Sequence, residues 1–491
     1  MPAFNLVRRG AYHDSVTLMR LSREMEAVPG VTRAAAMMGT PQNRALLRDA
    51  GLLAADGDTA TPSDLIVAAV AEREADARAA WAAAERALAS TAPRATAAAR
   101  APRTLRGGIA ALPDASLALI SVPGVYAAAE AEKALHAGLH VMLFSDNVPV
   151  ADEVRLKRLA RERGLFLMGP DCGTAILGGV PLGFANAVPR GRIGLAAASG
   201  TGLQAVTCHL AAAGEGVSHA IGLGGRDLSD EVSGLMLEPA LAALAADPET
   251  AVICVVGKAP GPATAKTVRG WLERLGKPWV AHFSGDPSST APTLEDTALA
   301  AAALARGTTY RGAEFTLAAP AIARLVAGAR AALAPGRRYV RGVYAGGTLA
   351  QEAGALLRAS LGEIATSAPS PAHRVVDLGD DVYTVGRPHP MLDGTVRRDW
   401  IAREAADPST AVLLLDVVLG YGAHPDPAGE LAPALSAARA QVAIVASVCG
   451  TGGDPQGLAR QEETLRAAGV IVMPSNAQAA RLAARIAVSL A

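Results

Sequence analysis

One pattern occurs twice in this chain: IGLAAASGTG at residues 193–202 and RGVYAGGTLA at residues 341–350, each followed by an apolar, helix-forming segment. A strand that ends in a glycine-rich turn before a helix is typical of open α/β sheets, where the turn lies at the carboxyl edge. The free N–H groups of such a helix form a site for phosphate. The two copies therefore predict two α/β lobes, each with an exposed helix N-terminus.

Two further landmarks follow each copy in the same order. An Asp-Pro-x-Thr-Ala-Val segment opens an apolar strand at Asp247 and again at Asp407. A later strand then ends in a Gly-Asp-Pro loop, within residues 277–287 and 441–455. The matched order predicts two related α/β domains at about 189–312 and 335–491, joined by a helix.

The remaining chain predicts two smaller parts. Residues 1–90 show a β-α-β order that indicates an α+β module, ferredoxin-like or similar, and a linker follows. Residues 105–188 alternate strands and helices in a Rossmann-like manner. No GxGxxG followed by an acidic residue is present, so the sequence gives little support to a nicotinamide site.

Composition excludes several classes of function. Lysine and arginine number 46, as do aspartate and glutamate, and aromatic residues make up 3%, so nothing indicates nucleic-acid binding. No apolar run reaches the length of a membrane span, and no signal peptide begins the chain, so a cytoplasmic location is expected. The four cysteines show no metal-ligand spacing, and no metal is expected. Reduced thiols are the expected state, with Cys172 and Cys449 as candidates for a reactive thiol.

The repeated turns supply the predicted phosphate site. Its residues are Ser199, Gly200, Thr201, Gly202, Gly346, Gly347 and Thr348. Serine or threonine can cap the helix while glycine lets the ligand approach the backbone. The alternative is a capped helix without a ligand. Arg226, in the neighbouring loop at 222–231, is a candidate partner for the anion, with a solvated turn as the alternative.

A second cluster of candidates lies at 386–400, GRPHPMLDGTVRRDW. Arginine forks suit carboxylates and phosphates, and histidine suits acid–base work. We therefore predict a catalytic set and a substrate-binding set that also includes the strand-end turn after Cys449. The catalytic set is His389, Arg387 and Asp393; the substrate-binding set is Arg226, Arg397, Gly450, Thr451 and Gly452. A structural surface loop is the alternative for 386–400.

The order of motifs over about 105–491 resembles the succinyl-CoA synthetase (acyl-CoA ligase) superfamily. The turns that carry the likeness are SVPGVY (121–126), SDNVP (145–149), GPDCGT (169–174), SGTG (199–202) and GLGG (222–225). The resemblance implies a CoA-binding-type domain at 105–188 followed by two flavodoxin-like domains of the succinyl-CoA synthetase type. It also implies two helices, one per ligase domain, that aim at a shared phosphoryl group.

Within that superfamily the chain is most similar to FdrA-type proteins, which share the fused order, the N-terminal module and a loop like Arg387–Met391. Three features depart from the ligases. The family's phosphorylated histidine follows the strand equivalent to Trp279–Ser284, but residues 287–304 contain no histidine. The chain leaves no room for an ATP-grasp domain. The glycine-rich CoA loop is missing, and RGGIAAL (106–112) does not replace it, so no cofactor is assigned and CoA stays a candidate.

These departures indicate that the phosphate arrives already joined to the acyl group. The resemblance to FdrA-type proteins implies a subunit of an oxamate carbamoyltransferase of allantoin degradation, which interconverts oxalurate and phosphate with oxamate and carbamoyl phosphate. The expected partners are carbamoyl phosphate or another acyl phosphate, a small carboxylate or amide, and other subunits. Two alternatives stay open: an acyl-CoA ligase or CoA transferase that uses a separate ATP-grasp subunit, and a non-enzymatic scaffold.

Overall fold

A computed structural model of the chain describes residues 1–11, 13, 15–91, 102–286, 289–367, 372–384 and 388–490. The chain divides into two compact units, one of residues 1–113 and one that holds nearly all residues from 114 onward. Among the described residues, no helix is both long and apolar enough to cross a membrane.

The first unit is an antiparallel α+β module built around one apolar strand. Its elements are β1 (Ala3–Arg8), α1 (Ser15–Glu26), β2 (Val31–Met38), α2 (Pro41–Asp49), α3 (Ala55–Asp58), β3 (Leu65–Ala71), α4 (Glu74–Thr91) and α5 (Leu105–Ala111). The sheet order is β1-β3-β2, with β3 antiparallel to both neighbours. The β3 sequence, LIVAAVA, is buried throughout because alternate side chains pack on opposite faces of the sheet. The predicted N-terminal α+β module is confirmed.

The second unit begins with a small parallel sheet. Its elements are β4 (Leu117–Ile120), α6 (Gly124–His136), β5 (His140–Leu143), α7 (Val150–Glu162) and β6 (Leu167–Met168). The strands pair in the order β4-β5-β6, with a helix in each crossover. This is the strand–helix alternation of a Rossmann-like fold.

A six-stranded sheet follows. Its elements are β7 (Thr174–Leu177), β8 (Val180–Gly183), β9 (Arg190–Ala198), α8 (Gly200–Ala212), β10 (Val217–Gly222), α9 (Leu237–Ala246), β11 (Val252–Lys258), α10 (Pro262–Glu273), β12 (Trp279–Ser284) and α11 (Leu294–Ala305). The order is β12-β11-β9-β10-β7-β8. Strands β9 to β12 are parallel, whereas β7 is antiparallel to β10. The β7–β8 hairpin thus pairs with the sheet that follows it, although its residues precede the predicted domain boundary at 188.

The last sheet has five parallel strands. Its elements, after the connecting helix α12 (Ala319–Ala332), are β13 (Tyr339–Tyr344), α13 (Gly347–Leu361), β14 (Arg374–Asp377), α14 (Asp381–Thr384), α15 (Thr395–Ala406), β15 (Thr410–Val418), α16 (Pro427–Ala438), β16 (Ala443–Cys449), α17 (Leu458–Ala467), β17 (Ile471–Met473) and α18 (Asn476–Val488). The order is β14-β13-β15-β16-β17. These strands are almost wholly apolar because helices cover both faces.

The two larger sheets repeat one topology. The order β10-β9-β11-β12 in the first matches β14-β13-β15-β16 in the second. Equivalent hydrogen bonds fix the alignment: Leu223 N donates to Ala197 O at 2.8 Å, and Leu378 N donates to Tyr344 O at 2.9 Å. We call residues 190–305 the first lobe and residues 339–488 the second lobe. The predicted α/β fold class, with two related flavodoxin-like lobes, is confirmed.

Candidate active site

Helix α8 begins where the central strand of the first lobe ends. The strand β9 is apolar up to Ala198, and Ser199 then takes the N-cap position with extended backbone. Its Oγ accepts the Gly202 N–H at 2.9 Å, which satisfies one of the free donors of the first turn. A Cβ at Gly202 would collide with that oxygen, so the turn requires glycine there.

Helix α13 begins at the equivalent place in the second lobe but is capped differently. Gly346 stands at its N-cap and contributes no side-chain hydrogen bond. The carboxylate of Asp416, from the neighbouring strand β15, accepts the N–H groups of Ala345 and Gly346 at 2.9 and 2.7 Å. An acid at a helix N-terminus is favourable because it offsets the positive end of the helix dipole.

The two helix N-termini meet. Ser199 Oγ lies 2.5 Å from Thr348 Oγ1, although the residues are 149 positions apart in the chain. Ser199 and Gly346 are equivalent N-cap residues, and Thr201 and Thr348 are both the second residue of their helix. The contact is reciprocal, since a Cβ at Gly346 would lie 3.0 Å from Thr201 Cγ2. The seven predicted phosphate-site residues are therefore brought to one point, and phosphate binding stays a prediction.

Asp377 lies beside this point, at the end of β14. Its Oδ1 accepts the Gly379 N–H at 2.9 Å. Its Oδ2 lies so close to the first residue of α13 that a Cβ at Gly347 would be 2.5 Å from it. A Cβ at Gly379 would meet both Asp377 Oδ1 and His389 Nε2, so the histidine ring borders the same space. One carboxyl group therefore lies between the beginning of α13 and His389.

The protonation of Asp377 differs from that of an ordinary aspartate. Burial raises the pKa of the Asp377 carboxyl to about 7, and the negative charges of Asp416 and Asp380 act in the same direction. The Gly379 N–H and the positive charge of Lys258, at the end of β11 in the first lobe, oppose that rise in pKa. The group thus titrates at neutral pH, where a proton donor or acceptor is most useful.

His389 is held neutral. Its Nδ1 accepts the Met391 N–H at 3.2 Å, which assigns the ring proton to Nε2. Burial, followed by the charge of Arg397, lowers the pKa of His389 to about 4. The ring also packs near Phe184, with the ring centroids 6.2 Å apart. At neutral pH His389 is therefore a neutral hydrogen-bond donor, and its acid–base role stays a prediction.

Arg397 positions the site instead of facing a ligand. The side chain is buried, and its Nη2 donates to Asp416 Oδ1 at 3.0 Å and to the backbone oxygens of Val343 and Asp416. The predicted substrate contact of Arg397 therefore gives way to a buried ion pair that holds Asp416 against α13. Asp393 Oδ1 accepts the Thr395 N–H at 2.8 Å, where α15 begins. Arg387, the third predicted catalytic residue, lies outside the described residues.

Arg226 is engaged by the Rossmann-like part of the chain. Its Nε donates to Glu153 at 2.8 Å, and its Nη2 donates to the Val148 carbonyl at 2.8 Å. Glu153 also accepts from the buried Lys157 at 2.8 Å, and Lys157 donates in turn to Asp227 at 2.7 Å. This network joins α7 to the loop after β10. The ligand contact predicted for Arg226 stays a prediction.

The predicted binding loop Gly450–Thr451–Gly452 also makes structural contacts. Thr451 is buried, and its Oγ1 donates to the Ala187 carbonyl at 2.7 Å. Asp454 accepts the N–H groups of Thr451 and Ala187, both at 2.7 Å. The loop thus fastens the segment between β8 and β9 to the end of β16, and a ligand contact there stays a prediction.

All four cysteines are buried free thiols. Burial raises the pKa of Cys172 and of Cys254 to about 12. A thiol reacts as its thiolate, so this environment makes Cys172 unreactive. Burial likewise raises the pKa of Cys208, which lies beside Cys449.

Three residues near the helix N-termini were not predicted from sequence: Asp377, Asp416 and Lys258. Asp416 interrupts an otherwise apolar run, TAVLLLDVV, and Asp377 ends the strand RVVD. A charged residue inside a buried strand is costly unless it has a partner or a role, and that was the available signal. Lys258 ends β11 in a similar way, but only the structure shows that its charge acts on Asp377.

Comparison with known proteins assigns the family. The uncharacterized protein YahF of Escherichia coli (strain K12) is 38% identical over 507 residues, which cover 97% of this chain and 97% of YahF. The chain belongs to the YahF family. Within this YahF-family chain, residues 343–486 match the CoA-ligase family model, and residues 1–103 match the model described as AllF, heavy metal-associated domain.

More distant relatives cover parts of the chain. The mitochondrial succinate–CoA ligase [ADP-forming] subunit alpha-2 of Trichomonas vaginalis is 31% identical over 191 residues, which are 36% of this chain and 58% of that subunit. A solved structure of acetyl-coenzyme A synthetase 1 from Ca. Korarchaeum cryptofilum superposes with a TM-score of 0.31 at 17% identity, over 77% of this chain and 84% of that one. The succinate–CoA ligase match relates the YahF-family chain to CoA ligases over about a third of its length.

The residues of the N-terminal module do not fit a heavy metal, despite the description of the matching model. Residues 1–103 contain no cysteine and a single histidine, His13. Soft transition metals are held by clusters of cysteine and histidine. In the described part of the chain, no group of three or more histidine, cysteine, aspartate or glutamate side chains is arranged to hold a metal.

Proposed function

We propose that this protein transfers a carbamoyl or similar acyl group to and from phosphate, which binds where α8 and α13 begin. The observation that carries the proposal is the 2.5 Å contact between Ser199 and Thr348, since it aims the N-termini of both helices at one point. Backbone N–H groups and helix dipoles from two lobes then act on the same anion. When phosphate binds, the two hydroxyls turn from each other and donate to its oxygens.

The side-chain charges around this point nearly cancel. Asp416 is paired with Arg397 at 3.0 Å, so together they form a neutral unit. With a pKa of about 7, Asp377 carries its proton in about half of the molecules at neutral pH. Lys258 adds a positive charge from the first lobe. Asp380, which also acts on Asp377, offsets that positive charge. The attraction for phosphate therefore comes from the backbone N–H groups and the dipoles of the two helices.

Direct transfer fits the residues better than a phosphoenzyme does. No histidine occurs between His282 and His373, the stretch that would carry the phosphorylated histidine of the ligases. His282 itself is buried in β12, with its Nδ1 bonded to the Ala291 carbonyl at 3.1 Å. A substrate that brings its own phosphate, such as carbamoyl phosphate, needs no such group.

The finer proposal is a subunit of an oxamate carbamoyltransferase. Its support is the resemblance of the fused order to FdrA-type proteins, together with a chain that joins an AllF-type N-terminal module to a CoA-ligase segment. Relatives such as the succinate–CoA ligase subunits are named as subunits, which supports a complex with further polypeptides. The acceptor in this proposal is oxamate, and the product is oxalurate.

The test measures phosphate binding and transfer in the full chain, purified with the proteins encoded beside its gene. We expect phosphate release from carbamoyl phosphate that depends on oxamate. Ser199→Ala and Thr348→Ala should each weaken phosphate binding by about tenfold, because each removes one hydrogen bond to a charged group. Ser218→Ala is the matched control, since Ser218 Oγ contacts Thr250 Oγ1 at 2.6 Å inside the first lobe. Equal phosphate affinity in all three variants would reject the site.

The CoA-ligase match over 343–486 favours a second function, acyl-CoA formation with a separate ATP-grasp subunit. Calorimetry with CoA and a thioester assay with ATP, succinate and such a subunit distinguish the two. Micromolar CoA affinity and nucleotide-dependent thioester formation would establish the ligase. Transfer from carbamoyl phosphate without CoA or nucleotide would establish the carbamoyltransferase.

A further inference from the structure

The two lobes carry different residues at the position of Asp377. When the two lobes are aligned on the Leu223 and Leu378 hydrogen bonds, the position equivalent to Asp377 in the first lobe is Gly222, which has no side chain. A Cβ at Gly222 would meet the Thr174 carbonyl and the Cys172 sulfur, so the first lobe leaves no room for an acid there. The second lobe thus has a titratable side chain at a position where the first lobe has no room for one.

Both oxygens of Asp377 have defined surroundings. Oδ1 is fixed by the Gly379 N–H at 2.9 Å, and Oδ2 lies against Gly347, the first residue of α13. The side chain is only partly buried, so a ligand can reach it. The neutral His389, whose Nε2 borders the same space, can donate a hydrogen bond to a substrate carbonyl. A carboxyl group, a neutral N–H donor and a helix N-terminus therefore lie side by side around Gly347 and Gly379.

We propose that Asp377 is the catalytic acid and base of this transfer, in which oxalurate is the N-carbamoyl amide. This inference rests on the proposed function. In phosphorolysis, a phosphate oxygen forms a bond to the carbamoyl carbon, and the bond from that carbon to the amide nitrogen breaks. The protonated Asp377 gives its proton to the departing nitrogen, and its carboxylate takes the proton of the attacking phosphate. Carbamoyl phosphate and a primary amide leave, and the enzyme returns to its starting state.

An amide nitrogen requires such a group. An amide anion is a very poor leaving group, so C–N cleavage needs a proton at the nitrogen, whereas an oxygen-linked acyl group does not. In the reverse direction, the amide nitrogen becomes a nucleophile only when a base takes its proton. The charged groups that act on Asp377 are Asp416 on β15, Asp380 after β14 and Lys258 on β11, while His389 stays neutral.

The two directions of the reaction have opposite pH dependences. Phosphorolysis uses the protonated carboxyl, so its kcat should fall as the pH rises through about 7. Synthesis from carbamoyl phosphate uses the carboxylate, so its kcat should fall as the pH drops through the same value. Asp380→Asn removes a nearby negative charge, so it should keep the activity and move both profiles to lower pH.

The decisive experiment compares wild-type protein, Asp377→Asn, Asp377→Glu and Asp380→Asn in the full chain with its partner proteins. We expect Asp377→Asn to lower kcat at least about 100-fold in both directions and to abolish the pH dependence. Phosphate affinity should stay within about twofold of the wild type when measured at pH 6, where Asp377 is mostly protonated. Asp377→Glu, which keeps a carboxyl, should recover part of the rate.

Each outcome has a distinct meaning. Wild-type activity with an unaffected Asp377→Asn variant overturns this inference and leaves the proposed function standing. Absence of transfer in the wild-type complex overturns both. Matching pH profiles in the two directions also overturn the role of Asp377, and this result needs no variant.

Discussion

The two lobes present the same element with different chemistry. The first lobe caps α8 with the hydroxyl of Ser199, whereas the second lobe places Gly346 there and uses the carboxylate of Asp416. The first lobe has Gly222 where the second has Asp377. The acids therefore lie in the second lobe, and Lys258 comes from the first. The duplicated backbone thus directs both helix N-termini to one point. The charged side chains around that point differ between the lobes.

The largest change in stability is expected when the ion pair between Arg397 and Asp416 in the second lobe is broken. Arg397→Ala should lower the free energy of unfolding by about 3–5 kcal/mol at pH 7, because it leaves the buried Asp416 without its cation. Urea unfolding measures this value. Arg398→Ala, on the exposed side of α15, is the matched control and should change stability by less than about 0.5 kcal/mol. Adding Asp416→Asn should recover much of the loss; if it does not, the ion pair is not the cause.

A smaller effect, of opposite sign, is expected at Asp377. A carboxyl whose pKa is raised by folding weakens the folded state as the pH rises from about 4 to about 7. Asp377→Asn should therefore increase the free energy of unfolding by on the order of 2 kcal/mol at pH 8, and by little at pH 4. Urea unfolding at the two pH values measures the difference. A gain that does not depend on pH would show that burial has not shifted this carboxyl.

Exchanging the N-cap residues tests the comparison directly. Gly346→Ser gives the second lobe the cap of the first, but its Cβ would lie 3.0 Å from both Thr201 Cγ2 and Asp416 Oδ2. We expect a loss of about 1–3 kcal/mol in unfolding free energy from this crowding. Measured in a Thr348→Ala background, which removes the hydroxyl contact between the lobes, Ser199→Gly should cost only a few tenths of a kcal/mol as a cap. Thermal unfolding of both variants checks the asymmetry, and equal losses would mean that the N-cap sites are interchangeable.

The duplication could be predicted from sequence because short sequence motifs indicate it. Apolar strands, glycine-rich turns and Asp-Pro openings recur in order, and each follows from backbone geometry and burial. The β7–β8 hairpin was not predicted to join the following sheet, because strand partners depend on distant residues. Its residues read equally well as the end of one domain or the start of the next.

The site was predicted in part. The glycine and hydroxyl residues at 199–202 and 346–348 come together, as equivalent helix N-termini should. The partners of the arginines were harder to predict, because an arginine side chain binds a ligand and a buried carboxylate equally well. Arg226 and Arg397 found Glu153 and Asp416 as partners, and only the three-dimensional structure shows those pairings. Sequence alone identifies the residue type but not the group that it meets.

The smallest expected effect is the interaction energy between Ser199 and Thr348, which tests the contact between the lobes alone. A double-mutant cycle of Ser199→Ala and Thr348→Ala should give an interaction energy of about 1 kcal/mol from urea unfolding, as expected for one buried hydroxyl pair. The cycle of Ser218→Ala and Thr250→Ala should give a similar value, since that pair is buried at 2.6 Å within one lobe.

Phosphate separates the two cycles. If the hydroxyls of Ser199 and Thr348 turn to a bound phosphate, saturating phosphate should change their coupling and leave that of Ser218 and Thr250 unaltered. The stabilisation by phosphate should also be smaller in each single variant of the first pair. Coupling energies that respond equally in both cycles would show that phosphate acts on the whole fold. A response in the first cycle alone would place the anion at the contact between Ser199 and Thr348, where the two helix N-termini meet.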